Sequence, residues 1–272
     1  MADRDPKKAG PSPYHKFNKL FMTRTAEKCA THLLLHLKPN HSILDVGCGT
    51  GSITIDLARL VPDGQVIGID VNEGQQHPDW LAQARDPAQE QGVTNVEFRP
   101  RNVLDMKDFE ADTFDVVHAH QVLLHVPDQL TGLREMRRAA KSAGGLVSSG
   151  DNTRPILVPA EPILTAQFAK FDALSHARGA NPEFGEASHI TAHDAGFAWE
   201  SIEMSSWAWE FSGREGRQAW AAAAKDSFRA VAVKAGVATE EEMDVAKQHW
   251  EEWGEKPEAR FMALDAGLLC WK

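Results

Sequence analysis

Apolar residues follow two periods along this chain. Ala26, Cys29, Ala30, Leu33, Leu34 and Leu37 recur at helical spacing, with Thr25 placed to cap that helix and Lys38-Pro39-Asn40 to end it. A short apolar run at 42–46, broken only by Asp45, reads as a buried strand. A helix over about 51–61 follows, then a Pro62-Asp63-Gly64 turn and a second apolar strand at 65–69. Trp80 to Gln91 reads as a helix, Val96 to Arg99 as strand three and Phe114 to Ala119 as strand four. Pro127-Asp128 opens a helix with Leu130, Leu133 and Met136 on one side, and Leu146 to Ser149 makes strand five after a Gly144-Gly145 turn. Strands that alternate with helices predict a parallel sheet with right-handed crossovers.

The second half is less regular. Residues 155–180 read as helical after a proline-marked loop, and Ala192 to Phe197 as a short helix and turn. Trp199 to Phe211 alternates as strand six, with Ile202, Met204, Ser206 and Ala208 on one face. Two further helices are expected over 214–236 and 240–254, then strand seven from Phe261 to Trp271. An insert of that size between the last two strands is a place where function collects.

Composition narrows the class. The 272 residues are 42% hydrophobic and 25% charged, ordinary for a globular protein, and no apolar run approaches the roughly 20 residues that span a bilayer. Net charge is −10, which disfavours a nucleic-acid substrate. Residues 1–28 hold seven Lys/Arg against three Asp/Glu, and residues 239–258 eight acids against two bases. Cys29, Cys48 and Cys270 are too few and too far apart for a disulfide frame or zinc site. With no apolar stretch at the N-terminus, a cytoplasmic chain is expected. His32 and His36, four apart, lack a third ligand, so a solvated helix face is expected for them.

The chemistry gathers at Asp45-Val46-Gly47-Cys48-Gly49-Thr50-Gly51. Glycines at every second position between a strand and a helix admit positive φ and close approach of a ligand. The spacing is G-x-G-x-G, with Ser52 where a dinucleotide fingerprint has its third glycine. Nineteen residues after Gly51, an apolar strand ends in Asp70, an acid placed to accept two ribose hydroxyls. Together these stretches resemble the first two motifs of the class I S-adenosylmethionine methyltransferases. Phe114-Asp115-Val116-Val117-His118-Ala119-His120-Gln121-Val122-Leu123 is similar to the fourth motif of their ubiquinone/menaquinone-biosynthesis branch, in a form like that of fungal natural-product enzymes.

The resemblance, strongest from Arg24 to Asp151, implies an α/β fold: a Rossmann-like, seven-stranded, mostly parallel sheet with strand seven antiparallel and helical lid insertions. It implies S-adenosylmethionine as cofactor, held by Asp45, Gly47, Cys48, Gly49, Gly51, Asp70, Val71, Asn72, Asn102, Val103, Ala119, His120, Gln121 and Arg24. Asn102 stands where many relatives have aspartate, and its amide oxygen can still meet the adenine amino group. The organisation expected is an arm and lid helix over 1–40, a cofactor-binding core over 41–150 and an acceptor-binding cap over 151–272, in one integrated domain.

The implied reaction is in-line methyl transfer to a small molecule, an aromatic secondary metabolite or quinone-like compound, with little demand for a base. His120 and Asp151 are the candidate catalytic groups. Tyr14, His15, Trp207, Trp209, Trp220, Trp250 and Trp253 are the candidate acceptor contacts, since tryptophan walls suit an aromatic ligand. The Asp151-Asn152 pair resembles that of metal-dependent catechol methyltransferases, but strand four offers histidines where they need an aspartate, so no metal is expected. The expected partner is the acceptor alone, with no nucleic acid and no membrane span, in a monomer or homodimer. A cofactor-binding protein with a non-methylating reaction, or a non-catalytic subunit of the same fold, stays open from the sequence.

Overall fold

The computed structural model describes residues 23–71, 80–227 and 229–272; the arm, with Tyr14 and His15, and Asn72 lie outside them. Seven strands form one sheet: β1 (Ser42–Val46), β2 (Gln65–Asp70), β3 (Val96–Pro100), β4 (Val116–His120), β5 (Leu146–Val158), β6 (Ile202–Phe211) and β7 (Arg260–Trp271). Their order is β3-β2-β1-β4-β5-β7-β6. The first five run parallel, and β7 is antiparallel to both its neighbours. The chain reverses direction across the sheet between β1 and β4, where ligands of such sheets bind beyond the strand ends.

Helices cover both faces. On one, Ile43, Val66, Val116, Leu146 and Leu269 pack on α1 (Ala26–Cys29), α2 (Thr31–Leu34) and α3 (Ser52–Leu60) through Cys29, Leu33, Ile53 and Leu57. On the other, Leu44, Val46, Ile69, Val117, Val147 and Leu268 meet α5 (Gln129–Ala139) and α7 (Phe184–Asp194) through Leu133, Met136, Phe184 and Ala192. α4 (Trp80–Glu90) rests on the sheet edge with Leu81 and Ala84 against Phe98. α6 (Pro162–Ala177), α8 (Gly213–Ala224), α9 (Arg229–Lys234) and α10 (Glu240–Glu255) build the remainder.

Several expectations are corrected. The helix expected over 26–37 is two short ones broken at Ala30 (φ −130°, ψ 25°), where the Thr31 hydroxyl donates to the Glu27 carbonyl instead of leaving the ladder alone. Thr25 does cap the first, accepting from the Lys28 amide at 3.3 Å. β5 runs on to Val158, far past Ser149. Proline is tolerated there because β4 ends opposite Gly150, leaving β5 beyond it with β7 alone, and the register shifts between Asn152 and Pro155. The helix expected over 214–236 breaks after Ala224, where the Ser227 hydroxyl donates to the Ala224 carbonyl at 2.8 Å. On β6, Ile202 packs on the core of one face of the sheet while Met204 and Ser206 on the same side of the strand are exposed, and Trp209 and Phe211 on the other side pack with Trp220 and Phe261.

Candidate active site

The glycine loop is tied down from below. The Gly47 and Cys48 amides both donate to the Ile69 carbonyl, at 2.7 and 3.0 Å, so the loop folds over the end of β2. Gly47, Gly49 and Gly51 all take positive φ (70°, 51° and 77°). At Gly47 a Cβ would stand 2.2 Å from Val122 Cγ2, and at Gly51 2.8 Å from Ala84 Cβ, so packing and backbone both demand glycine. At Gly49 nothing lies within 4 Å of a Cβ. Among the described residues that open position faces no protein group, and it is the one a ligand could approach.

Two acids frame the loop. Asp45, 3% exposed, accepts from the Thr54 hydroxyl at 2.6 Å, joining β1 to the first turn of α3. Burial pushes its carboxyl up to about 7, the Thr54 hydrogen bond opposing the rise. Asp70, at the tip of β2, accepts from the Gly49 amide at 2.8 Å. A carboxylate at this position has acceptor capacity for several donors. The loop, the acid at the end of β2 and the open approach at Gly49 fit the cofactor implied by the resemblance.

Beyond β3, Asn102 is exposed and its Oδ1 accepts from the Leu104 amide at 2.9 Å, closing a local turn. The side chains of Val103 and Ala119 are in the core, so these two could meet a ligand only through their backbone. Val71 is exposed.

His118 and His120 share the face of the sheet that looks toward α1 and α2, as strand alternation requires. His118 Nδ1 lies 3.1 Å from Ser148 Oγ, which lies 3.0 Å from His32 Nε2. Burial lowers His118 to about 3 and His32 to about 4, so both rings are neutral. His32 is thus not on a solvated face: it stacks on Trp207 at 4.9 Å, because Gly150 and Gly267 leave room for that indole against the sheet. His36 is exposed and edge-on to Trp271.

His120 is 7% exposed, its Nδ1 has no hydrogen-bond partner among the described residues, and burial, then Arg24, holds it well below its ordinary pKa. Gln121 follows with φ 52°; its amide donates to the Gly150 carbonyl at 2.6 Å and its Oε1 accepts from Arg24 Nη2 at 2.5 Å. Arg24 also lies over the Trp209 ring at 5.5 Å. Arg24, His120, Gln121, Trp207 and Trp209 are therefore one neighbourhood at the carboxyl end of β4.

Other predicted groups are elsewhere. Asp151 is on the opposite face, 1% exposed, where it accepts from the Ser149 hydroxyl and from the Leu124 amide at 3.3 Å, at the start of the single turn Leu123–His125. Trp220, Trp250 and Trp253 are buried with Leu164 and Phe261; Trp220 stacks on Phe261 at 3.7 Å and Trp250 Nε1 donates to Gln167 at 2.5 Å. They hold the cap together. Sequence reasoning missed Asp265, a buried acid of β7 beside Arg24. Its signal was the same as that of Asp45, a lone acid inside an apolar strand.

Among the described residues no group of three or more His, Cys, Asp or Glu could hold a metal ion, and no helix is long and apolar enough to cross a membrane.

Comparison with known proteins agrees with this geometry. Residues 37–192 match the family described as "Methyltransferase domain". An uncharacterized methyltransferase of Schizosaccharomyces pombe is 30% identical over 72% of this chain and 70% of its own. Probable methyltransferase ltbC of Aspergillus luteorubrus is 29% identical over 92% of each. The ubiquinone biosynthesis O-methyltransferase of Hahella chejuensis is 33% identical over 53% of this chain and 54% of its own. The YcgJ protein of Bacillus subtilis has the same fold, with a TM-score of 0.58 at 17% identity over 89% of this chain and 97% of its own.

Proposed function

We propose that this chain, which belongs to the methyltransferase domain family and is an S-adenosylmethionine-dependent methyltransferase of small molecules, has an aromatic acceptor, a secondary metabolite or quinone-like compound. The observation that carries the acceptor class is the placing of Trp207 and Trp209 beside His120 and Arg24 at the carboxyl end of β4. Flat apolar walls with a few polar groups suit an aromatic ring with polar substituents. The Hahella relative, named for ubiquinone biosynthesis, supports a quinone-like acceptor.

When bound, S-adenosylmethionine supplies a methyl group activated by the sulfonium charge. The chain's own part is to bind and align. The glycine loop, open at Gly49, takes the cofactor's tail, with Asp45 behind it. Asp70 takes the ribose hydroxyls. Asn102 and the Val103 backbone take the adenine, and Arg24 and Gln121 close the end nearest the acceptor. Holding two reactants in line contributes roughly 7–11 kcal/mol of barrier lowering. His120, kept neutral, orients a polar atom and does not carry charge into the site. With three unbridged cysteines the chain suits a reducing compartment, and we read it as a cytoplasmic monomer or homodimer.

The test is calorimetric titration with S-adenosylmethionine and S-adenosylhomocysteine, followed by incubation with hydroxylated naphthalenes and benzoquinols and a search for products heavier by one methyl group. Methylated aromatic product supports the acceptor class. Cofactor binding with turnover of aliphatic acids or amines alone would remove it.

A further inference from the structure

The register of the sheet brings one more group to this neighbourhood. His120 pairs with Gly150 across β4 and β5, and Gly150 with Gly267 across β5 and β7. Two residues before Gly267, on the same face, stands Asp265, opposite Asn152 on β5 and Trp207 on β6. It is 1% exposed, and among the described residues only the Gln121 side chain approaches its carboxylate as a hydrogen-bond donor. The groups facing it are Arg24 ahead of α1, Cys29 on α1 and Gln121 after β4, and Asp151, across the sheet, adds its charge.

Asp265 is not alone in this. Among the described residues, His120 Nδ1 and Trp207 Nε1 are also buried without a hydrogen-bond partner, and Gln121 Nε2 has none beyond its approach to Asp265. Buried polar groups in folded proteins are nearly always paired, and each exception calls for an explanation. Here donors and acceptors have been desolvated together in one place, with the Gln121–Asp265 contact the one approach between them among the described residues. A hydroxyl group brought between them would receive from Gln121 or Trp207 and donate to Asp265.

We propose that Asp265 is the catalytic base for the acceptor, which is a phenol: its hydroxyl donates to the Asp265 carboxylate while its ring lies beside Trp209 and the edge of Trp207. This rests on the aromatic acceptor argued above. The O–H bond breaks and the proton passes to Asp265. The oxygen's electron pair forms the new O–C bond, and the C–S bond breaks with its pair kept by sulfur. Carboxylate and sulfonium thus end as neutral acid and neutral thioether.

The alternatives in the neighbourhood are poorer bases. His120 is held well below neutrality, and Asp151 faces the other side of the sheet. Burial pushes Asp265 up to about 7, with Arg24 opposing the rise and Asp151 adding to it, which places it near the pH at which a general base works best.

The experiment compares wild type with Asp265→Asn on 1-naphthol and on 4-nitro-1-naphthol, which is already ionised at neutral pH. S-adenosylhomocysteine binding is measured by calorimetry alongside. The variant should bind S-adenosylhomocysteine as wild type does, lose roughly 10²- to 10⁴-fold in kcat/KM on 1-naphthol, and stay within about tenfold on the nitro compound. Wild-type kcat/KM on 1-naphthol should rise with pH and level off above a midpoint of about 7, a limb absent on the nitro compound. If Asp265→Asn does not fold, the two wild-type pH profiles carry the test. An equal loss on both naphthols, no loss on 1-naphthol, or matching pH profiles would overturn the proposal. Neither naphthol being methylated by a wild type that binds S-adenosylhomocysteine would also overturn it, while leaving the cofactor site standing. Failure of wild type to bind S-adenosylhomocysteine would remove the site reading itself.

Discussion

The Gly49 amide donates to the Asp70 carboxylate at 2.8 Å, joining the middle of the glycine loop to the tip of the second strand. The two residues are 21 apart in sequence, and this bond holds them together at the carboxyl end of the sheet. Because the carboxylate is already fixed by a backbone donor, its remaining acceptor positions are aimed before any ligand arrives, which cuts the ordering cost of binding. Asp70→Ala should weaken S-adenosylhomocysteine binding by roughly 10- to 100-fold, the worth of hydrogen bonds to a charged group at about 1.5–3 kcal/mol. Calorimetry measures this directly. A change below about threefold would mean that Asp70 only braces the loop.

Gly47 and Gly49 have similar dihedral angles and opposite surroundings, so they should respond differently to alanine. Gly47→Ala adds a Cβ that would overlap Val122, on top of the positive-φ strain of about 1–2 kcal/mol. It should lower the urea midpoint markedly, and Val122→Ala in the same chain should restore part of the loss. Gly49→Ala meets nothing, so its cost to the fold should be the backbone strain alone. It should nevertheless impair S-adenosylhomocysteine binding, since the methyl group fills the approach to the loop. Equal stability losses in the two variants would contradict this division.

What could be read from the sequence, and what could not, divides along a physical line. The β1 loop, Asp70, the β4 histidines and an antiparallel β7 were legible because each depends on local chain: glycine spacing, an acid closing an apolar run, strand alternation. Asp265 and the true surroundings of His32 were not legible, since both are made by residues far apart in sequence. His32 sits where it does because Gly150 and Gly267 let Trp207 lie flat on the sheet, and no window on α2 holds that information. The tryptophans show the same limit. All five candidates of β6, α8 and α10 looked equivalent, yet Trp250 and Trp253 are core, and only the register of β6 on β7 brings Trp207 and Trp209 beside His32 and Arg24.

Asp151 stands in the sequence where a catalytic acid would, and its contacts are those of a brace. It accepts from Ser149 and from the Leu124 amide, and the backbone at Val122 and Leu123 also stabilises its charge. It therefore fixes the turn that carries Val122 against Gly47. Asp151→Asn keeps the shape and loses the charge, so it should lower stability by about 1–3 kcal/mol in urea denaturation. The same variant should shift kcat by less than tenfold. A loss above about a hundredfold in a folded variant would instead put Asp151 in the chemistry.

The His32–Ser148–His118 chain contributes to the protein's response to acid, alongside the buried His120 and His125. Burial holds both rings neutral, with His118 lowered to about 3 and His32 to about 4, against about 6.5 in an unfolded chain. Their folded values lie below the unfolded ones, so the unfolded state takes up protons first as pH falls. The stability that they secure is complete above about 6.5 and is lost progressively as pH drops toward 4 and then 3. Asp45 works in the other sense. Its folded value of about 7 exceeds the unfolded one, so its contribution declines as pH rises from about 4 to 7. The two trends overlap, and a variant separates them. In His118→Asn the ring that must stay neutral is gone, so the fall in stability between about pH 6.5 and about pH 5 should be shallower than in wild type. Urea titrations of both proteins at those two pH values measure the difference. Parallel loss in the two would mean that His118 is not the group that titrates on unfolding.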